Sequence, residues 1–136
     1  MIVVKATKDS EEGKFPRDKE KIFAAMAPYH EELAKAGVLL ETSGLQPSSK
    51  RWRVKYSGGK RTVTDGPFTE AKELIAGYTL IQVKSREEAL EWSRRFPNPL
   101  GEGAEAEIEV RRLYELEDFD PSDAIERFRE IEAQKK

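Results

Sequence analysis

The chain has 136 residues, with 24 lysines and arginines against 26 aspartates and glutamates and a formal net charge of -2. Its length predicts one domain, and 38% hydrophobic beside 37% charged residues indicates a modest core under a charged surface, which excludes wholesale disorder and a membrane protein. The chain has no excess of basic residues that would attract nucleic acid. Because it has no cysteine and only one histidine, a disulfide framework, a thiolate zinc site and a cysteine nucleophile are excluded. We therefore predict no metal, no cofactor, no nucleic acid and no membrane partner.

The amino-terminal sequence favours a cytoplasmic location. Its apolar run is too short for a signal peptide and follows no basic stretch, and nowhere do 18 apolar residues run together.

A strand-helix-strand unit is predicted over residues 2–42. A β-branched strand at 2–7 precedes a loop at 8–13, and apolar residues recur at helical spacing from about 17 to 36. Gly37 stands where a helix ends in a left-handed residue, and a second strand follows at 38–42.

A β-hairpin is predicted at 51–57 and 61–64, because Trp52, Val54 and Tyr56 alternate with cations. Alternation sends the rings and the cations to opposite faces, so we expect the rings in the core and the cations at a solvated edge. This separation argues against a single-strand nucleic-acid site, which combines cations with stacking rings.

A second strand-helix-strand unit is predicted over 75–112. The strand at 75–83 is apolar on both faces, a capping box of Ser85 and Glu88 opens a helix that ends before Pro97, and the last strand spans 105–114. The two units around the hairpin predict an α+β fold, a ferredoxin-like βαββαβ sheet with an inserted β-hairpin and both long helices on one face. With both helices on one face, the other face of the sheet is bare. We predict that a second copy of the chain covers this face, which gives a homodimer that forms a dimeric α+β barrel.

We divide the chain into a domain at 1–115 and a helical extension at 116–136. Asp120 before Pro121 predicts a capped terminal helix whose apolar side chains are Ile125, Phe128 and Ile131. This narrow stripe predicts docking on the same subunit or its partner, and the alternative is a helix free to bind a regulatory protein.

Four blocks of sequence closely resemble the YCII-related proteins of the DGPF type. They are YHEELAKAGVLL at 29–40, GLQPS at 44–48, TDGPFTEAKE at 64–73, and the strand from Gly77 to Val83 with EEA at 87–89 and FPNP at 96–99. The resemblance covers residues 1 to 119 and implies a dimeric α+β barrel of bacterial type, mostly without an assigned reaction. Some such proteins are encoded beside extracytoplasmic-function sigma factors, which implies a regulatory role.

Many members of the wider YCII family pair a helix histidine with an aspartate, and this chain departs from that pattern. The usual histidine position falls near Met26, and His30 lies one turn later. The catalytic role is therefore not transferred from the family to His30.

Asp65 and His30 are the candidate catalytic residues. Asp65 either accepts backbone N–H bonds in a turn or points into a cleft beside Phe68. His30 either exchanges protons together with Glu41 or Asp65, or is a half-buried, hydrogen-bonded helix residue. Lys72 neutralises either Asp65 or an acidic ligand.

We therefore predict a protein that binds a small metabolite near Asp65, Phe68 and His30, with Phe68, Lys72 and Glu41 contacting the ligand. If it is an enzyme, the step is a cofactor-free acid/base reaction. The alternative is a non-catalytic regulatory or assembly protein.

Overall fold

The computed structural model describes residues 1–16, 19–68 and 73–135, and over these residues the chain has the predicted α+β class. The strands are Ile2–Lys5 (β1), Leu39–Gly44 (β2), Trp52–Ser57 (β3), Lys60–Asp65 (β4), Ile75–Ile81 (β5) and Ile108–Val110 (β6). The α-helices are Lys8–Glu11 (α1), Lys19–Lys35 (α2), Arg86–Arg94 (α3) and Asp123–Gln134 (α4).

Within the described residues, four strands form an antiparallel sheet in the order β2-β5-β1-β6, and β3 pairs only with β4. Thr79 of β5 lies opposite both Ile2 and Thr42. Because directly opposite residues share a face, this register brings Thr42 and Thr79 together. The described strands do not close into a barrel.

The core lies where α2 and α3 meet. Tyr29 and Leu33 of α2 and Trp92 of α3 are buried with Val38. The rings of Tyr29 and Trp92 meet edge to face with centroids 6.0 Å apart, and the Tyr29 hydroxyl donates to the Trp92 carbonyl at 2.8 Å. The hydroxyl is thus satisfied inside an apolar cluster.

Helix α2 confirms the predicted periodicity and its end. Ile22, Tyr29 and Leu33 are buried, and Gly37 has a φ of 73°, in the left-handed region where glycine avoids the steric cost of a Cβ atom. The predicted first helical residues, at 17 and 18, lie outside the described residues.

Helix α3 begins at the predicted cap. The Ser85 hydroxyl accepts from the backbone N–H of Glu88. In a capping box the Glu88 carboxylate would accept from the N–H of Ser85. Here it accepts instead from the N–H of the preceding residue, Lys84, at 3.0 Å.

Two predicted elements, the loop at 8–13 and the last strand, differ from the structure. The predicted loop at 8–13 contains α1, which begins with a capping box. The Thr7 hydroxyl accepts from the Ser10 N–H, and the Ser10 hydroxyl accepts from the Thr7 N–H, so these two backbone donors at the start of the helix have partners. The last strand spans only Ile108–Val110, the three residues that pair with Ile2, Val3 and Val4 of β1. The predicted turn at 70–73 falls mostly outside the described residues.

The hairpin β3-β4 corrects the expectation of a buried aromatic face. Trp52 is 63% exposed and Tyr56 68% exposed, because the hairpin pairs with no other described strand. On the opposite face, the Arg53 guanidinium lies 3.7 Å from the centroid of the Phe68 ring. The alternation was predicted correctly, and the burial of the ring face was wrong for the single chain.

The terminal helix α4 also differs in its cap and its packing. Ser122, not Asp120, is the cap, and its hydroxyl accepts from the N–H of Ile125. Phe128 and Ile131 are at least half exposed, so the full stripe does not dock on its own subunit, and docking on the partner stays a prediction. None of the described helices is long and apolar enough to span a bilayer.

Candidate functional site

A cavity of about 980 Å³ opens between α2, the sheet and residues 7–16. Three phenylalanines from separate segments line it, Phe15, Phe23 and Phe96. Ile22 and Met26 add aliphatic surface from α2. Mostly apolar walls with few polar groups are typical of small-molecule sites.

His30 contributes an imidazole ring to this wall. Its Nδ1 atom lies 2.8 Å from the Met26 carbonyl oxygen one turn earlier, and its Nε2 atom lies 2.8 Å from Oγ1 of Thr79. Oγ1 of Thr42 lies 3.3 Å from the same Nε2 and 3.1 Å from Oγ1 of Thr79. Thr42 in turn donates to the Tyr78 carbonyl at 3.1 Å.

The hydrogen-bond partners determine which nitrogen of His30 is protonated. A carbonyl oxygen only accepts, so Nδ1 carries a hydrogen and donates to Met26. In the neutral ring Nε2 then accepts from a threonine hydroxyl. In the imidazolium, Nε2 donates to Thr79, whose hydroxyl donates to Thr42, and Thr42 donates to the Tyr78 carbonyl. The site therefore accommodates His30 with and without the second proton.

The strand pairing creates this cluster. Thr42 and Thr79 are opposite each other in β2 and β5, and Thr79 is 2% exposed. His30 lies above them on α2, with its ring edge to face against Tyr29 at 5.3 Å between centroids. The sequence signal for Thr79 was its polar side chain within the otherwise apolar run 75–83, and the sequence-based prediction of the site did not include it.

Glu41 lies on the other face of the sheet from His30. Neighbouring strand residues point to opposite faces, and Thr42 contacts His30, so Glu41 points away from it. Glu41 accepts from the Tyr78 hydroxyl at 2.9 Å, and this bond raises the pKa of Tyr78. The structure thus does not bring Glu41 to His30.

Asp65 and Phe68 do not line the cavity either. Asp65 ends β4 opposite Trp52 and is exposed. The Phe68 N–H donates to the Ser48 hydroxyl at 2.9 Å, while its ring lies under Arg53. Lys72, the other predicted ligand contact, lies outside the described residues.

Ser48 and Glu11 form a second polar contact that the sequence interpretation missed. Ser48 is fully buried, its hydroxyl donates to the Glu11 carboxylate, and its N–H donates to the same carboxylate at 3.0 Å. Because the Ser48 hydroxyl also accepts from Phe68, it ties α1 to the segment after β4. No local pattern announces a bond between residues 37 positions apart.

With an antiparallel sheet, packed helices and a mostly apolar cavity beside a helix histidine, this chain is a small α+β protein. The chain belongs to the YCII-related family, because the YCII-related domain model matches residues 1–114. It is 30% identical over 95 residues to an uncharacterized protein of Rhizobium meliloti (strain 1021), which covers 70% of this chain and 77% of that protein. The resemblance to the YCII-related family is confirmed.

Proposed function

We propose that this protein binds a small metabolite in the cavity beside His30. The observation that carries the proposal is the placement of His30 on the wall of a largely apolar cavity, with Nε2 held by two threonine hydroxyls. A pre-formed apolar cavity with a few fixed polar groups supplies both affinity and orientation.

The same arrangement supports a cofactor-free acid/base step. Histidine is the side chain that most often serves as a general acid or base in enzymes. Thr42 lines the cavity and contacts Nε2, so a ligand group beside Thr42 exchanges a proton with His30 directly or through the hydroxyl.

The proposed catalytic role of Asp65 and the proposed ligand contacts of Phe68, Glu41 and Lys72 need more than the His30 cavity of one chain. In one chain, Asp65, Phe68 and Glu41 lie apart from the His30 cavity, so a role beside His30 needs a partner subunit to bring them there. This requirement makes Asp65 a sharp discriminator between a ligand held by one chain and a ligand held between two chains.

We also propose a cytoplasmic homodimer of the DGPF type with a ferredoxin-like sheet and a barrel-like interface. The strand order β2-β5-β1-β6 with antiparallel neighbours is compatible with that topology. The exposed rings of Trp52 and Tyr56, with Val63 on the paired strand, offer apolar surface that a second copy would bury.

A thermal-shift screen against a metabolite library tests the proposed function. A ligand present at about 100 times its dissociation constant stabilises the folded state by about 2.7 kcal/mol. We expect a compound that raises the Tm of the native protein and of Asp65→Ala, but not of His30→Ala. A hit lost only in Asp65→Ala would move the site to the dimer cleft, and no hit at all would contradict metabolite binding.

One observation favours a second candidate function. The half-exposed Phe128 and Ile131 on α4 suit a non-catalytic regulatory or assembly protein whose tail helix binds a partner, with an extracytoplasmic-function sigma factor as the proposed regulatory link. Pull-downs with and without residues 120–136 test it, and a candidate sigma factor retained equally by the shortened chain argues against the tail.

A further inference from the structure

The lining of the His30 cavity contains more cationic than anionic side chains, although the whole chain has a net charge of -2. Four lysines contribute to the described lining, Lys5, Lys14, Lys19 and Lys50, and the only carboxylate among those lining residues is Asp9. The sign of this charge therefore does not follow from the overall composition.

Two of the four lysines are already neutralised. The Lys5 ammonium lies 2.6 Å from the Glu107 carboxylate, and the Lys14 ammonium lies 2.9 Å from Glu12. The Glu107 bond raises the pKa of Lys5, and the Glu12 bond raises that of Lys14, as a paired cation requires. These two lysines hold protein carboxylates, so they have less attraction left for a ligand.

Lys19 and Lys50 differ from them. Within the described chain, neither forms an ion pair with a carboxylate at 4.0 Å or less. The Lys19 ammonium lies 5.8 Å from the centroid of the Phe15 ring, which also lines the cavity. The negative charge of Asp9 adds to the effect of Glu12 in raising the pKa of Lys14.

We infer that the ligand of this cavity is a small amphipathic anion, with an apolar body and one acidic group. This inference rests on the proposed function and names its ligand class. The rings of Phe15, Phe23 and Phe96 take the apolar body, and Lys19 and Lys50 face the acidic group. Burying apolar surface supplies most of the affinity, and the cations select the charge.

Other ligand classes fit the lining less well. A cationic ligand would meet the ammonium groups of Lys19 and Lys50, and like charges brought together weaken binding. A polyphosphate needs several strong donors around each phosphate, whereas most of this wall is hydrocarbon.

A matched pair of fluorescent probes tests the inference. 8-Anilinonaphthalene-1-sulfonate carries one anionic group, and N-phenyl-1-naphthylamine is the same skeleton without it. Dissociation constants for both are measured on the native chain, Lys19→Gln and Lys50→Gln, with Lys60→Gln on the exposed hairpin as the matched control. Circular dichroism confirms that each variant is folded.

We expect Lys19→Gln and Lys50→Gln each to weaken binding of the sulfonate about two- to fivefold, as for exposed ion pairs, and to leave the neutral probe unchanged. Sulfonate binding should also weaken between about 20 and about 300 mM salt, because salt screens exposed charges. Lys60→Gln should change neither probe.

Four results overturn the inference. Equal weakening of both probes means that the lysines shape the cavity without selecting charge. If Lys60→Gln is the only variant that weakens binding of the sulfonate, that probe binds at the hairpin and not in the cavity. If both probes bind and no lysine variant changes their affinity, the cavity does not select charge, but the proposed ligand site stands. If neither probe binds the native chain, the proposed function of the cavity is contradicted as well.

Discussion

The Nε2 atom of His30 lies 2.8 Å from the hydroxyl oxygen of Thr79, a residue 49 positions away and only 2% exposed. Two non-local features meet in this contact, the packing of α2 on the sheet and the pairing of β2 with β5. It makes a buried hydroxyl the partner of the only imidazole ring in the chain.

The tautomer of His30 is the first prediction. The neutral ring should carry its hydrogen on Nδ1, because the Met26 carbonyl at 2.8 Å can only accept. Long-range proton–nitrogen correlation spectra read this directly, and with one histidine in the chain the signals need no assignment. A hydrogen on Nε2 in the neutral ring would contradict the arrangement.

Removing the Thr79 hydroxyl should change both the His30 signals and the free energy of unfolding. Thr79→Val keeps the side-chain shape and deprives Nε2 of a buried partner, so we expect a loss of about 1 to 2 kcal/mol in urea denaturation. Thr64→Val on the exposed hairpin is the control and should stay within about 0.5 kcal/mol. Equal effects of the two changes would argue against a special role of the Thr79 contact.

Tyr29 should make stability fall at alkaline pH. Burial raises the pKa of Tyr29 from 10.0 to about 12, so the folded chain retains a proton that the unfolded chain releases. This contribution is fully present below pH 10 and is lost as the pH rises toward 12.

Tyr29→Phe tests this prediction through urea denaturation at several pH values. The variant should lose about 1 to 2 kcal/mol at neutral pH, because the bond to the Trp92 carbonyl is missing. Its deficit relative to the native chain should shrink above pH 10, and a constant deficit would contradict the effect of burial on the Tyr29 pKa.

Gly66 should tolerate no side chain. A Cβ atom there would overlap the Ser48 carbonyl and lie 3.3 Å from the Arg51 carbonyl, and both belong to backbone that cannot rotate away. We expect Gly66→Ala to destabilise the fold by about 1 to 3 kcal/mol or more, as overpacking does. Gly44→Ala is the matched control, because its Cβ atom would have 4.0 Å to the nearest backbone oxygen. A Gly66→Ala variant as stable as Gly44→Ala would contradict this packing.

The oligomeric state is expected to depend on one face of the hairpin. Tyr56→Lys places a charge among the exposed rings, so it should raise the dissociation constant of the proposed dimer at least about tenfold. Thr62→Lys adds the same charge on the opposite face and should leave the dimer intact. Light scattering with size exclusion distinguishes a 15.5 kDa chain from its dimer, and a native protein that is monomeric contradicts the dimer outright.

Local patterns in the sequence were sufficient for most of the elements. The spacing of Ile22, Tyr29 and Leu33 predicted α2, and Gly37 and Ser85 predicted a helix end and a helix start, because these signals depend on the residue's own backbone and its near neighbours. The alternation at 51–57 predicted a strand and separated its two faces. It could not say whether the ring face is covered, since coverage depends on what packs there.

The candidate site was predicted only in part for the same reason. His30 was identified from its chemistry, but its partners were predicted as Glu41 or Asp65, whereas the structure supplies Thr42 and Thr79. A one-residue difference in strand register sends Glu41 to the other face, and only the pairing with β5 decides that register.

The sequence by itself determined the family, the α+β class and most of the helices and strands, because periodicity, caps and turn residues act over a few positions. The tertiary structure alone decided which side chains meet: Thr79 with His30, Ser48 with Glu11, and the lysines around one cavity. These contacts join residues far apart in the chain, and their geometry follows from strand register and helix packing, which no short stretch of sequence encodes.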